Sequence, residues 1–126
     1  MFLIFGGAYQ GKLDYALERF GLNEDDVFRC VEENTAMPGG RKVVYEIDKW
    51  ILALVRAGAD VSAALQQFIQ RSPDTVVICN DISCGVVPMG ADMRQWREAA
   101  GRSMAELARA SDEVFRLFCG IPTKIK

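Results

Sequence analysis

The sequence predicts an α/β protein in which helices cover both faces of a mainly parallel sheet of about five or more strands. Two observations lead to this class: short continuous apolar runs bounded by turn residues, and helical patterns between those runs. Apolar runs that do not alternate with polar residues are typical of parallel strands buried on both faces. Because strands that alternate with helices are joined by right-handed crossovers, we expect a three-layer sandwich that forms a single domain over residues 1–126.

Each element is predicted from its own pattern of apolar residues. The apolar runs predict strands at Met1–Phe5, Val27–Cys30, Lys42–Ile47, Thr75–Cys79 and Glu113–Cys119. Apolar residues at i, i+3, i+4 and i+7 predict helices over Leu13–Phe20 and Val61–Ile69 and, less strictly, over Met93–Leu107. Ile47, Ile51 and Leu54 predict a further short helix that ends near Gly58. The turn-rich segment 31–41 is predicted to be a mobile loop rather than a domain boundary.

The composition is that of a globular domain, with half of its 126 residues apolar and a quarter charged. The net charge is −2 and the Lys and Arg residues are scattered, so we expect no binding to nucleic acid. The apolar start MFLIF is too short for a signal peptide or a membrane span. We therefore expect a cytoplasmic protein with no membrane partner.

Two residue types limit the possible chemistry. The chain contains no histidine, which excludes mechanisms in which one of its residues supplies an imidazole as base, metal ligand or phosphate carrier. The cysteines lack the paired C-x-x-C spacing of a zinc site. Because two of the four lie in apolar runs, buried reduced thiols are the expected state, with a metal or redox role as the alternative; the four are Cys30, Cys79, Cys84 and Cys119.

The stretch GGAYQGKL matches the phosphate-binding pattern G-x-x-x-x-G-K-[ST] except at its last position. It follows a predicted strand and precedes a predicted helix, where backbone N–H groups, a helix N-terminus and a lysine can surround phosphate oxygens. The alternative is an ordinary glycine-rich turn with an exposed lysine. The predicted phosphate-contacting residues are Gly6, Gly7, Ala8, Tyr9, Gln10, Gly11, Lys12 and Leu13.

Leu13 stands where the pattern has Ser or Thr. That hydroxyl normally binds the Mg²⁺ that bridges the terminal phosphates of a nucleotide. A leucine side chain cannot bind a hard cation, but Leu13 continues the apolar face of the predicted helix. We expect that the position contributes to packing and not to metal binding.

Three further stretches resemble one enzyme family. They read ICNDISCGVVP at residues 78–88, then RQWREAAGR, and finally SDEVFRLFCGIPTKIK at the carboxyl end. In order and spacing they resemble the carboxyl-terminal half of the adenosylcobinamide kinase/adenosylcobinamide-phosphate guanylyltransferase family, whose first strand also precedes a glycine-rich loop with a lysine. The positions that match are Asn80, Asp81, Gly85, Val87, Pro88, Arg94, Arg97, Gly101, Arg102, Asp112, Glu113, Val114, Gly120, Pro122 and Lys126.

The resemblance implies a P-loop NTPase-like fold, a homo-oligomer, and two ligands: ATP or GTP and a corrinoid of cobalamin biosynthesis. Members of the family phosphorylate the aminopropanol arm of a corrinoid and then transfer GMP through a guanylyl-histidine. With no histidine in this chain, guanylyl transfer cannot follow that route. Two functions stay open: a nucleotide-dependent kinase, and a non-catalytic member that serves as a binding or oligomerisation module.

A kinase step would need positioned phosphates and a metal ion, and a base can assist it. Lys12 and Asp81 are the predicted catalytic residues, because Asp81 would lie just past the carboxyl end of a strand, where ligands of such sheets bind. Asp81, Glu46 and Asp48 are the predicted ligands for Mg²⁺, with Glu46 or Asp48 matching the family's second-strand carboxylate. The alternative role of Asp81 is to cap a turn through its own backbone.

Overall fold

The computed structural model describes residues 1–8, 10–82 and 90–126. The strands are β1 (Phe2–Gly6), β2 (Val27–Arg29), β3 (Val43–Tyr45), β4 (Val76–Asn80), β5 (Glu113–Phe118) and β6 (Ile121–Lys124). The helices are α1 (Lys12–Phe20), α2 (Ile47–Arg56), α3 (Val61–Arg71) and α4 (Ala91–Ala110), and a short 3-10 helix covers Glu24–Asp26. The predicted strands and helices are all present, with ends that differ by about one to three residues.

The strands form one sheet in the order β2-β3-β4-β1-β5-β6. Neighbouring strands are parallel except in the hairpin of β5 and β6, which is antiparallel. In the centre of the sheet, Ile4 of β1 lies beside Ile78 of β4 and Phe115 of β5. The carboxyl ends of β1, β3 and β4 therefore lie along one edge.

Helices cover both faces of the sheet. On one face, Ile4, Ile78 and Leu117 pack in a buried cluster with Ala16 of α1. The neighbouring residues of the same strands point to the opposite face and pack against α2, α3 and α4. That second cluster includes Leu3, Val77, Val114, Trp50, Leu65, Phe68 and Leu107. The predicted three-layer, P-loop NTPase-like α/β sandwich is confirmed.

The sequence does not predict β6. All of its residues are exposed, so the strand lacks the buried apolar run by which the others are recognised. It also contains Pro122, a residue that sheets tolerate mainly at their edges. The turn before it consists of Cys119 and Gly120, with φ of 51° and 75°, and Phe118 pairs with Ile121 across it.

The connection between β2 and β3 packs on the α2 side of the sheet. The indole Nε1 of Trp50 donates a hydrogen bond to the carbonyl of Thr35 at 3.1 Å. Met37 packs against the buried cluster that contains Trp50. These contacts hold the middle of segment 31–41 against the α2 side of the sheet.

The thiols differ in their exposure. Cys30 and Cys79 are free and buried, as predicted, whereas Cys119 is free and exposed because it lies in the turn before β6. Cys84 lies outside the described residues. No helix in the described ranges is long and apolar enough to cross a lipid bilayer.

Candidate functional site

The glycine-rich turn lies between β1 and α1, at the carboxyl edge of the sheet. Gly11 has a left-handed φ of 81° and directly precedes Lys12, the first residue of α1. Residues with a Cβ rarely adopt this conformation, so a glycine at position 11 allows the helix to begin there. Gly7 and Gln10 are half-buried and Ala8 is exposed, while Tyr9 lies outside the described residues.

Lys12 is buried, with 4% of the residue exposed, and so differs from the exposed lysine of the alternative interpretation. Its ammonium Nζ donates a hydrogen bond to the carbonyl of Gly7 at 2.6 Å. Burial lowers the pKa of Lys12, and the nearby charges of Asp48 and Glu46 act in the opposite direction. A buried ammonium at a helix N-terminus makes this loop a favourable place for an anion.

Asp48 and Glu46 lie where β3 gives way to α2. Glu46 adopts a left-handed conformation with φ of 59°, which turns the chain from the strand into the helix. Asp48 is buried, and this burial raises the pKa of its carboxyl group, although hydrogen bonds from Asn80 act against the increase. From α4, the indole of Trp96 donates to the backbone carbonyl of Asp48 at 2.8 Å.

Asn80, the last residue of β4, connects the two carboxylates. Its backbone N–H donates to Oδ1 of Asp48 at 3.0 Å. Its side-chain amide donates to Oε2 of Glu46 at 3.0 Å and to Oδ2 of Asp48 at 3.4 Å. The sequence places Asn80 in a family motif but does not indicate this role, since the contact joins residues more than 30 positions apart.

Asp81 follows Asn80 and lies beyond the end of β4, as predicted. Its backbone N–H donates to the carbonyl of Gly6 at 2.7 Å, so the chain stays next to β1 past the last strand residue. Asp81 is half-buried, and its charge contributes to the raised pKa of Cys79, of which burial is the main cause.

The structure brings some of the predicted metal ligands together. Glu46 and Asp48 share Asn80 as a hydrogen-bond donor, and both lie close enough to Lys12 to raise its pKa. In the part of the chain that the structure describes, no three Cys, Asp or Glu side chains form a group suited to a metal ion. The assignment of Asp81, Glu46 and Asp48 to Mg²⁺ therefore stays a prediction.

Leu13 has the packing role expected from its position. Leu13 is the second residue of α1; it is half-buried and packs against the cluster that contains Ile4 and Leu117. The matched positions Gly85, Val87 and Pro88 lie outside the described residues.

The site combines a phosphate-loop sequence, a buried lysine, and carboxylates at the next strand ends of a P-loop NTPase-like sheet. Together these features define a candidate nucleotide site. The family model for cobinamide kinase / cobinamide phosphate guanyltransferase matches residues 41–125. The chain belongs to that family. The matched range contains Glu46, Asp48 and Asn80, and it begins after the glycine-rich loop.

Two curated relatives share the name bifunctional adenosylcobalamin biosynthesis protein CobU. The protein from Salmonella typhimurium is 40% identical over 75 residues, which cover 59% of this chain and 41% of the relative. The protein from Escherichia coli is 39% identical over 70 residues, which cover 52% of this chain and 39% of the relative. The similarity thus extends over about two fifths of the length of each curated relative.

Proposed function

We propose that the chain binds the phosphates of a nucleoside triphosphate, ATP or GTP, at the loop between β1 and α1. The observation that carries the proposal is the buried ammonium of Lys12, which donates to the Gly7 carbonyl at 2.6 Å. Lysines are rarely this buried unless they have a partner of opposite charge. Phosphate oxygens at the loop would supply that charge and would raise the lowered pKa of Lys12.

We also propose that two of the three predicted carboxylates, Glu46 and Asp48, hold Mg²⁺ when the nucleotide is bound. Mg²⁺ is held in nucleotide sites by one or two carboxylates together with phosphate oxygens. Glu46 and Asp48 fit this requirement because both present hard oxygen ligands beside the Asn80 amide. Bound Mg²⁺ would neutralise phosphate charge, while Lys12 and the start of α1 orient the phosphates.

The activity that we propose is phosphoryl transfer from the nucleotide to an alcohol of a corrinoid, in line with the name of the family. Phosphoryl transfer requires no covalent intermediate on the protein. In this proposal Lys12 binds the transferred phosphate and Asp81 accepts the proton of the alcohol. Transfer of GMP through a histidine is not included, because none of the 126 residues is a histidine.

A second candidate is a non-catalytic member that binds nucleotide, or assembles with other copies of itself, without phosphoryl transfer. The observation that favours it is Leu13, which supplies packing where a catalytic loop supplies a hydroxyl for Mg²⁺. This candidate keeps the phosphate site of Lys12. It differs from the kinase in its independence of Mg²⁺.

Thermal unfolding with ATP or GTP, each with and without Mg²⁺, tests the nucleotide site. Ligand at about 100 times its dissociation constant stabilises the native state by about 2.7 kcal/mol. For a chain of this length that corresponds to an increase in melting temperature of about 10 °C. A larger increase with Mg²⁺ supports the kinase, and an equal increase without it supports the second candidate. No increase with either nucleotide contradicts the proposal.

The variant Lys12→Met tests the role of the ammonium. We expect its dissociation constant for ATP to be about 30 times that of the wild type, because a charged hydrogen bond contributes about 2 kcal/mol. The matched control is Lys124→Met, which removes an exposed lysine paired with Glu113 on β5. The control should bind ATP like the wild type.

A direct assay of the proposed reaction incubates the protein with cobinamide, Mg²⁺ and ATP or GTP. The kinase predicts nucleoside diphosphate and phosphorylated corrinoid in equal amounts, and Asp81→Asn should reduce both without loss of nucleotide binding. Binding of nucleotide without formation of either product would contradict the kinase and support the non-catalytic candidate.

A further inference from the structure

The turn between β5 and β6 contacts the glycine-rich loop between β1 and α1 directly; we call this loop, residues 6–12, the phosphate loop. Cys119 and Gly120 form this two-residue turn, and both have positive φ, as in the type I′ turns of tight hairpins. The strand pair closes at Phe118 and Ile121, so the backbone N–H groups of the two turn residues point away from the ladder. We call residues Cys119 and Gly120 the hairpin turn.

Both N–H groups of the hairpin turn donate to Gln10, in the middle of the phosphate loop. The N–H of Cys119 donates to the side-chain Oε1 of Gln10 at 2.5 Å. The N–H of Gly120 donates to the backbone carbonyl of Gln10 at 3.0 Å. Gln10 is thus bound to the hairpin by its main chain and by its side chain, across more than 100 residues of sequence.

Two glycines of the loop make close contact with the same region. A Cβ on Gly6 would lie 2.5 Å from the carbonyl oxygen of Leu117, and one on Gly11 would lie 3.6 Å from the Cα of Gly120. The loop therefore contacts the end of β5 through Gly6, and it contacts the hairpin turn through Gln10 and Gly11. Its conformation depends on a segment at the far end of the chain.

We infer that Gln10 is a positioning residue that holds the phosphate loop against the hairpin turn in its phosphate-binding conformation. This inference rests on the proposed nucleotide site. A loop that binds an anion must turn its N–H groups toward the anion and its carbonyl dipoles away from it. The hairpin turn donates to the backbone carbonyl oxygen and to the side-chain amide oxygen of Gln10. The negative ends of both dipoles therefore stay directed at the hairpin of β5 and β6.

A consequence is that phosphate binding and the hairpin turn are coupled. An anion that orders the loop also orders Gln10, and the bonds from Cys119 and Gly120 then open less often. Conversely, loss of the hydrogen bond from the Cys119 N–H to the Gln10 side chain should weaken phosphate binding, although Lys12 itself is unchanged. The coupling can be measured as the affinity for ATP and as the hydrogen exchange of the turn amides.

The test uses hydrogen exchange of the turn amides together with ATP titration. In the wild type, saturating ATP should slow exchange at Cys119 and Gly120. In Gln10→Met, which keeps the side-chain length but removes the acceptor, we expect faster exchange at Cys119. The dissociation constant for ATP should increase about fivefold, the factor that corresponds to one hydrogen bond. The matched control is Gln67→Met on the exposed side of α3, which should change neither quantity.

Gln10→Glu retains an oxygen that can accept from Cys119, so it should restore slow exchange at that amide. A residue that only supports the fold would not make exchange at the turn amides depend on ATP. The wild-type comparison with and without ATP needs no variant, so the test stands even if Gln10→Met fails to fold. If ATP binds the wild type but leaves exchange at both turn amides unchanged, the inference is wrong and the proposed function is not affected. If ATP does not bind the wild type at all, the proposed function fails and the coupling fails with it.

Discussion

Gly6 shows how closely the start of the glycine-rich loop is fitted to the sheet. We predict that Gly6→Ala destabilises the protein through contact with the backbone of β5. The added Cβ would lie 2.5 Å from the Leu117 carbonyl oxygen, whereas Cβ contacts below 3.0 Å essentially do not occur. Since both partners belong to main chain in a paired sheet, one of the two strands must move by about 0.5 Å.

The expected cost follows from this contact and from the backbone conformation. Gly6 has φ of 156°, a value that residues with a side chain rarely adopt. Strain of this kind and the shift of a packed strand together cost about 3 kcal/mol. A chain of this length loses about 4 °C of melting temperature per kcal/mol, so the melting temperature should fall by about 12 °C.

Urea denaturation and scanning calorimetry measure this effect. Gly101→Ala is the matched control, because a Cβ at Gly101 in α4 would meet no atom within 4 Å. Replacement of an exposed helical glycine should stabilise the protein by about 0.5–1 kcal/mol, so the same substitution has opposite signs at the two sites. If Gly6→Ala unfolds within about 1 kcal/mol of the wild type, the Leu117 contact does not restrict this position.

Three further predictions concern single side chains. Leu13→Ser should lower the free energy of unfolding by about 1–2 kcal/mol through lost packing, and should make ATP binding stronger in the presence of Mg²⁺ than in its absence. Cys119→Asn should raise the free energy of unfolding by about 0.5–1 kcal/mol, because asparagine tolerates positive φ better than cysteine. Burial raises the pKa of Cys30 from 9.0 to about 12, so its unfolded thiol ionises first as the pH rises above 9.0, and stability falls by up to about 1.4 kcal/mol per pH unit. Cys30→Ala should lack this alkaline decrease, which urea denaturation over a range of pH measures.

Each of these predictions has an outcome that contradicts it. A Leu13→Ser protein as stable as the wild type would show that the side chain adds nothing to the cluster on the α1 face. A Cys119→Asn protein of lower stability would mean that the turn requires the thiol. A constant difference in unfolding free energy between wild type and Cys30→Ala across the alkaline range would mean that Cys30 ionises equally in both states.

The central strands and helices α1, α2, α3 and α4 could be predicted because their signals are local. A continuous apolar run or a helical repeat is visible in the residues that form the element. Strand β6 lacks such a signal, since it is exposed and its turn is Cys119-Gly120 rather than the Asn-Gly pair that usually marks a tight hairpin. Its position follows only from pairing with β5.

The candidate site could be predicted in part. The glycine pattern identifies the loop, and the positions of Glu46, Asp48 and Asp81 after strands place them at one edge of the sheet. The role of Asn80 between two carboxylates and that of Gln10 beside the hairpin turn depend on side-chain contacts between distant segments. The burial of Lys12 likewise depends on packing that no local pattern describes.

The most direct test of the central claim is calorimetric titration of the protein with ATP in buffers of different ionisation enthalpy. Burial lowers the pKa of Lys12 and bound phosphate raises it again, so binding should take up protons as the pH becomes alkaline. The wild type should show this uptake, and Lys12→Met should bind more weakly and show none. ATP binding with equal affinity and equal proton uptake in both proteins would contradict the account, because the buried ammonium of Lys12 would then have no part in holding phosphate.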